Sequence, residues 1–207
     1  MTEIEKDRSG RRRQADRSHG TQQKLFQATV DLLVERGYAG TTTQEVAQRA
    51  GVSRGAMLHH FSTRAALMSG TLSFLYRNEM DDFLDHVDLS DDLDPVDVVW
   101  GLYQRPEAKA VFELWLAARN DVELSAVMAP EMERVHEIYR GLWEPVARFL
   151  YPSGSESEIR AYKIRFDMAL ATLMGMAVAK ALVPSAKLMD DEEAVLSLLK
   201  GTLRPSQ

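Results

Sequence analysis

The sequence predicts an all-α protein, and three observations carry that reading. Apolar residues recur at three- and four-residue spacing along most of the 207-residue chain, and no run alternates with a period of two as a strand would. Side chains suited to capping mark where segments start, and glycines mark where several of them stop. The composition, 45% hydrophobic and 27% charged with a mean hydropathy of −0.27, supplies enough apolar residues for a core and excludes a collagenous, mucin-like or wholly disordered chain.

The elements follow in order. Residues 1–18 are polar, with Arg11, Arg12, Arg13 and Arg17 among acids, and read as a flexible basic arm. From Thr21 the helical period sets in through Leu25, Ala28, Leu32 and Leu33, and Gly37 stops it. Thr42-Thr43-Gln44-Glu45 fits a capping box ahead of Val46, Ala47 and Ala50, and Gly51 ends that short helix. Ser53 can cap a third helix from Arg54 to about Phe61, and Ser62 a fourth that begins near Arg64 and runs towards His86. The acidic stretch from Val87 to Asp94 reads as a loop, closed by an Asp94 cap with Pro95 at the first helical position. Further helices are expected over 95–104, 106–119, 122–150, 156–183 and 190–200. Their starts are marked by Pro106, Asn120 with Glu123, Ser155 with Glu158, and Asp190 with Glu193. Pro130 and Pro145 are expected to kink or split the 122–150 segment.

Charge is divided unevenly. The whole chain carries −6, yet residues 1–65 hold +4 and residues 66–207 hold −10. A basic end on an acidic body suits contact with a polyanion at one end only. The absence of cysteine excludes disulfides, a thiol nucleophile and Cys-ligated metal. The opening residues lack an apolar signal sequence, and the apolar stretch 166–183 contains Asp167 and Lys180. No membrane partner and a reducing, cytoplasmic setting are therefore expected. No enzyme motif is found: there is no G-x-S-x-G, phosphate-binding glycine loop or H-E-x-x-H. Neither a cofactor nor a metal is expected. Adjacent His59 and His60 diverge by about 100° on a helix, and Glu133-x-x-His136 has no second copy to complete a di-iron site.

Residues 41–64, TTTQEVAQRAGVSRGAMLHHFSTR, form a helix, a glycine-centred turn and a second short helix. Val46, Ala47 and Ala50 are expected to face the first helix, Gly51 to take the left-handed turn, and Val52 to plug the angle between the helices. Met57 and Phe61, four apart, point inward. Arg54, Gly55, Ala56, Leu58, His59 and His60 remain on or near the exposed side, on a helix of the width that the major groove of DNA admits.

These positions resemble the TetR family of transcriptional regulators. The resemblance covers roughly residues 21–68: Gly37-Tyr38, Thr42-Thr43, Ala47, Ala50-Gly51-Val52-Ser53, Gly55, His60-Phe61 and Ala66-Leu67. It implies a three-helix N-terminal helix-turn-helix head over 19–64 and a larger C-terminal helical domain over 65–207 that binds an effector and dimerises. It also implies DNA contacts residue by residue. Thr43 matches a phosphate-binding hydroxyl, Gln44 and Arg54 match positions that reach base edges, and Gly55 permits close backbone approach. Ala56 could meet a thymine methyl, while His60 and Arg64 match phosphate contacts. Leu58 stands where the family usually carries tyrosine and cannot donate to a phosphate, which shifts weight to His59, His60 and Arg64.

In the C-terminal part, Trp100, Tyr103, Phe112, Trp115, Met128, Met132, His136, Tyr139 and Trp143 offer an aromatic and methionine-rich lining for a small hydrophobic effector. Ala171, Gly175 and Ala179 repeat every four residues and suit close helix approach. With Val195, Leu198 and Leu199 they would form a four-helix interface in a homodimer. The expected function is a ligand-responsive repressor that binds a palindromic double-stranded DNA operator as a dimer and is released by its effector. The alternative is a DNA-binding helical module controlled by a protein partner.

Overall fold

The computed structural model describes residues 3–86, 94–182 and 191–204; the side chains of 3–17, 79–86, 136, 138–140, 142 and 182 fall outside that description. The described residues form helices and no strand. In chain order the helices are α1 (Glu3–Arg36), α2 (Thr43–Arg49), α3 (Arg54–His60), α4 (Arg64–His86) and α5 (Pro95–Tyr103). After these come α6 (Pro106–Ala118), α7 (Val122–Leu150), α8 (Glu156–Leu182) and α9 (Glu192–Leu203). The chain divides into two compact units, one of Met1–Leu75 with Glu113–Met128, the other of Tyr76–Phe112 with Ala129–Gln207.

Local chemistry accounts for most boundaries. Thr42 and Glu45 form the capping box of α2, the Glu45 N–H donating to Thr42 Oγ1 at 3.2 Å and the Thr42 N–H to Glu45 Oε2 at 3.2 Å. At the far end of α2 the Gly51 and Val52 N–H groups donate back to the Gln48 and Ala47 carbonyls. This closure places Gly51 at φ +67°, a conformation that favours glycine. Ser53 caps α3 through the Ala56 N–H, Asp94 caps α5 through the Val96 N–H, and Ser155 with Glu158 boxes the start of α8.

Four expectations shift. α1 starts at Glu3 rather than Thr21, so the stretch read as an arm is helical; its glutamate, lysine, arginine and glutamine content favours helix and no proline interrupts it. Thr63, not Ser62, caps α4, its Oγ1 accepting the Ala66 N–H at 3.0 Å. Asp121, not Asn120, caps α7, accepting the Leu124 N–H at 2.9 Å. α7 runs through Pro130 and Pro145 as one helix. The expected loop over 87–93 and the Asp190 start lie outside the described residues.

In the first unit, Leu25, Leu32 and Leu33 of α1, Val46 and Ala47 of α2, Met57 of α3, and Leu67, Met68 and Leu72 of α4 are buried together with Leu114 and Leu124. Phe26 packs its ring 5.3 Å from both Phe61 and Phe74. Gly70 makes room for this cluster: a Cβ there would stand 2.9 Å from Phe26 Cε1. Ion pairs from Arg49 to Glu35 at 2.7 Å and from Arg36 to Glu45 at 2.6 Å join α1 to α2 on the surface.

A second set of contacts in this unit centres on Tyr38, in the turn after Gly37, which has φ +69°. The Tyr38 N–H donates to Glu113 Oε2 at 3.0 Å, and its hydroxyl donates to Asp121 Oδ2 at 2.7 Å. The Arg64 guanidinium lies over the Tyr38 ring, 3.8 Å from its centroid. Arg64 Nε donates to the Thr41 carbonyl at 3.0 Å and Nη2 to the Tyr38 carbonyl. Burial first, then the bond to Asp121, pushes the Tyr38 phenol up to about 12. The Leu124 N–H first, then the Tyr38 hydroxyl, holds the Asp121 carboxyl below its ordinary value.

In the second unit α5, α8 and α9 pack on one another. Val96, Trp100, Ile159, Tyr162, Phe166, Leu173, Met176, Leu199 and Leu203 are buried there. Trp100 Nε1 donates to Glu192 Oε1 at 3.2 Å, and Lys180 both pairs with Glu192 at 2.6 Å and sits 5.2 Å from the Trp100 ring centroid.

Two outcomes follow for stability. Met57→Ala empties a fully buried site under α3 and should cost about 2–5 kcal/mol, read as a lowered midpoint in chemical denaturation. Tyrosine in an unfolded chain ionises near 10, so a folded value about 12 favours the fold below that range. The Tyr38 contribution is complete below about pH 10 and is lost as pH rises to about 12. Thermal melts across the alkaline range should therefore fall less steeply for Tyr38→Phe than for the parent chain.

Candidate nucleic-acid interface

α3 is a seven-residue helix whose two sides differ sharply. Met57 and Phe61 are buried, while Arg54, Gly55, Leu58 and His59 are exposed and Ala56 and His60 half-buried. The backbone of Gly55 is open, with only Ser53 Oγ near the place a Cβ would take, at 4.0 Å. Leu58 keeps 44% of its surface exposed on the same side as Arg54 and His59. The His59 and His60 rings meet edge to face at 5.7 Å. At the start of α2, Gln44 is exposed and Thr43 half-buried, while the cap itself is Thr42. Gln44, Arg54, Gly55, Leu58 and His59 thus share an exposed character, and all lie in the first unit.

Arg64 is placed differently from the phosphate contact the resemblance implies. Its guanidinium is engaged by two backbone carbonyls and the Tyr38 ring. Sequence reading picked out the Gly37-Tyr38 pair but missed what Tyr38 does, together with Glu113 and Asp121. Those partners are 75 and 83 residues away in the chain, beyond the reach of any local spacing. The side chains of Arg11, Arg12, Arg13 and Arg17 lie outside the described ones. Among the described residues no group of three or more His, Asp or Glu could hold a metal ion, and no helix is long and apolar enough to cross a membrane.

The residues read as an effector lining fall in both units. Trp115 and Met128 belong to the first, and Trp100, Tyr103, Phe112, Met132 and Trp143 to the second. The structure brings Tyr103 and Phe112 together, with ring centroids 6.0 Å apart. Trp100 is instead tied to Glu192 and Lys180, so it joins α5 to α8 and α9. The side chains of His136 and Tyr139 lie outside the described ones.

Of the residues read as a dimer contact, Ala171, Gly175 and Leu198 are exposed, and Ala179 and Val195 are half-buried. Leu199 is the correction: it is 6% exposed against 70% for Leu198, because neighbours on a helix point about 100° apart and α9 turns Leu199 into its own unit. Met168 and Ile164, exposed one and two turns before Ala171, extend the outward stripe on α8.

Comparison with known proteins agrees with this arrangement. Residues 25–70 match the family model described as bacterial regulatory proteins, tetR family. The HTH-type transcriptional regulator CymR of Pseudomonas putida is 48% identical over 66 residues, a match that covers 32% of this chain and 32% of CymR. A transcriptional regulator from Rhodococcus sp. Rha1 shares the fold with a TM-score of 0.65 at 24% identity, over 88% of this chain and 95% of that one. The multidrug binding protein EbrR, solved in complex with ethidium, aligns with a TM-score of 0.56 at 24% identity, over 90% of this chain and 99% of that one. The helix-turn-helix segment, residues 25–70, thus matches the tetR family of bacterial regulatory proteins, and the chain shares its all-α fold with solved transcriptional regulators.

Proposed function

We propose that the chain is a ligand-responsive transcriptional repressor that binds a palindromic operator as a homodimer and leaves it when a small, largely apolar effector binds. The observation that carries this reading is the outward face of α3, where Arg54, Gly55, Leu58 and His59 are exposed above buried Met57 and Phe61. That face suits the major groove: Arg54 can donate twice to a guanine, Gly55 lets the backbone come close, and Ala56 and Leu58 offer apolar contact to thymine methyls. Thr43, Gln44, His59 and His60 would contact phosphates or base edges beside it. Arg64 acts through Tyr38, fixing the start of α4 against the turn after α1.

The apolar stripe of Ile164, Met168, Ala171 and Gly175 on α8, with Leu198 on α9, supports the homodimer, since a stripe of this kind is costly to leave in water. A two-fold axis through it would present the α3 helices to two half-sites. The effector reading draws on the shared fold with a multidrug binding protein and on the aromatic side chains of the second unit. Release would be a shift of population between states with different operator affinity.

Selection of bound sequences from random duplexes tests the reading and should return a palindrome. On that operator Arg54→Ala should cost about 1–3 kcal/mol and relax preference at one base position, with little change on random DNA. Arg64→Ala should lower the melting temperature and weaken all DNA binding while the salt slope stays as it is. A slope shallower by about one unit would return Arg64 to the phosphate role. Met168→Glu combined with Leu198→Glu should give a monomer by analytical ultracentrifugation, with operator affinity falling towards that of a single half-site.

A further inference from the structure

Three polar atoms on α7 and α8 of the second unit are sealed from solvent and have no hydrogen-bond partner: Trp143 Nε1, Tyr162 Oη and Arg165 Nε. Such atoms are rare in folded proteins, because each forfeits its bonds to water without replacement. Tyr162 is 0% exposed. It shares a face of α8 with Arg165, three residues on. Lys163, between them in sequence, holds its ammonium 5.9 Å from the Trp143 ring centroid, which puts Trp143 at the same level of α8. Tyr151 closes the group: its hydroxyl accepts a bond from Arg165 Nη2 at 3.0 Å, and its ring stands edge-on to Tyr162 at 6.0 Å. Phe166 stacks on Tyr162 at 6.2 Å.

The chemistry of the three atoms is one-sided. An indole N–H and a guanidinium N–H can only donate. The Tyr162 phenol is kept protonated, pushed up to about 12 by burial first and by neighbouring Tyr151 next, so it too is available as a donor. Asp94 also bears on Tyr162, but it already caps α5 and lies 3.7 Å from Arg204. Buried donors that include a cation, set among aromatic rings on one helix pair, complement an acceptor-rich anion carried on an apolar body.

We infer that the α7–α8 face around Trp143, Tyr162 and Arg165 is a binding site for a small organic acid, the carboxylate accepting from Arg165 and Tyr162 and the apolar body lying against Trp143 and Phe166. This rests on the effector reading above and gives that effector a charge the aromatic lining alone does not suggest. The sequence brings out Trp143 as part of the aromatic effector lining, while Tyr162 and Arg165 carry no such signal.

The test is isothermal titration of the full chain with matched pairs, benzoate against benzamide and octanoate against octanamide, with ethidium as a parallel arm. At least one acid should bind about tenfold or more tightly than its amide. Arg165→Met should lose that preference, Arg165→Lys should keep part of it, and Tyr162→Phe should weaken the acid alone. Ligand-free Tyr162→Phe should melt at or above the parent temperature, since it removes only an unpaired buried donor, whereas Arg165→Met also gives up the bond to Tyr151; a marked fall for Tyr162→Phe would overturn the inference by making that hydroxyl structural. Equal binding of acid and amide, or unchanged acid binding by Arg165→Met, would also overturn it. If ethidium binds and releases DNA while no acid binds, the acid site fails and the effector reading stands. If neither ethidium nor any member of the pairs binds, both fail.

Discussion

The stacking of Arg64 on Tyr38 is the constraint on which the first unit depends. One aromatic side chain in a turn receives a guanidinium on its face, donates its hydroxyl to Asp121 and its N–H to Glu113. The same guanidinium bonds the carbonyls of Tyr38 and Thr41, so the turn after α1, the entry to α2 and the start of α4 are fixed by a single cation. A lysine could not do this, because a compact ammonium has neither the flat face for stacking nor the fork for two carbonyls. The orientation of α3, which lies between these points in the chain, follows from where its neighbours are pinned.

The two units solve their packing differently. The first holds two seven-residue helices, α2 and α3, each started by a side-chain cap, and a cluster of Phe26, Phe61 and Phe74. Short helices gain little from propensity, so caps and buried side chains must hold them. The second leaves polar atoms of Trp143, Tyr162 and Arg165 buried without partners. Unpaired buried donors are a cost that a purely structural core would avoid. Their presence on α7 and α8 distinguishes that region from the saturated capping of the first unit.

Local signals made much of this legible. The Thr42-Glu45 box, the Ser53 and Asp94 caps, the glycines at 37 and 51 and the Met57–Phe61 spacing depend on residues within a turn of each other, and the structure has each of them. Where two candidate caps stood side by side, as with Ser62 and Thr63 or Asn120 and Asp121, spacing alone chose the wrong one. The choice is made by the direction in which the following N–H points. Leu199 was misassigned for a related reason, since α9 carries apolar residues on more than one side and only packing decides which faces inward. The partners of Tyr38 and the bare donors at Tyr162 and Arg165 depend on contacts between distant segments or on the lack of them, and no periodicity reports either.

Leu58 stands in water on the outward side of α3. Covering such a side chain frees ordered solvent rather than counterions. Its share of any association is therefore blind to ionic strength and carried by a negative heat-capacity change, so it strengthens on warming where the cationic contacts weaken with added salt.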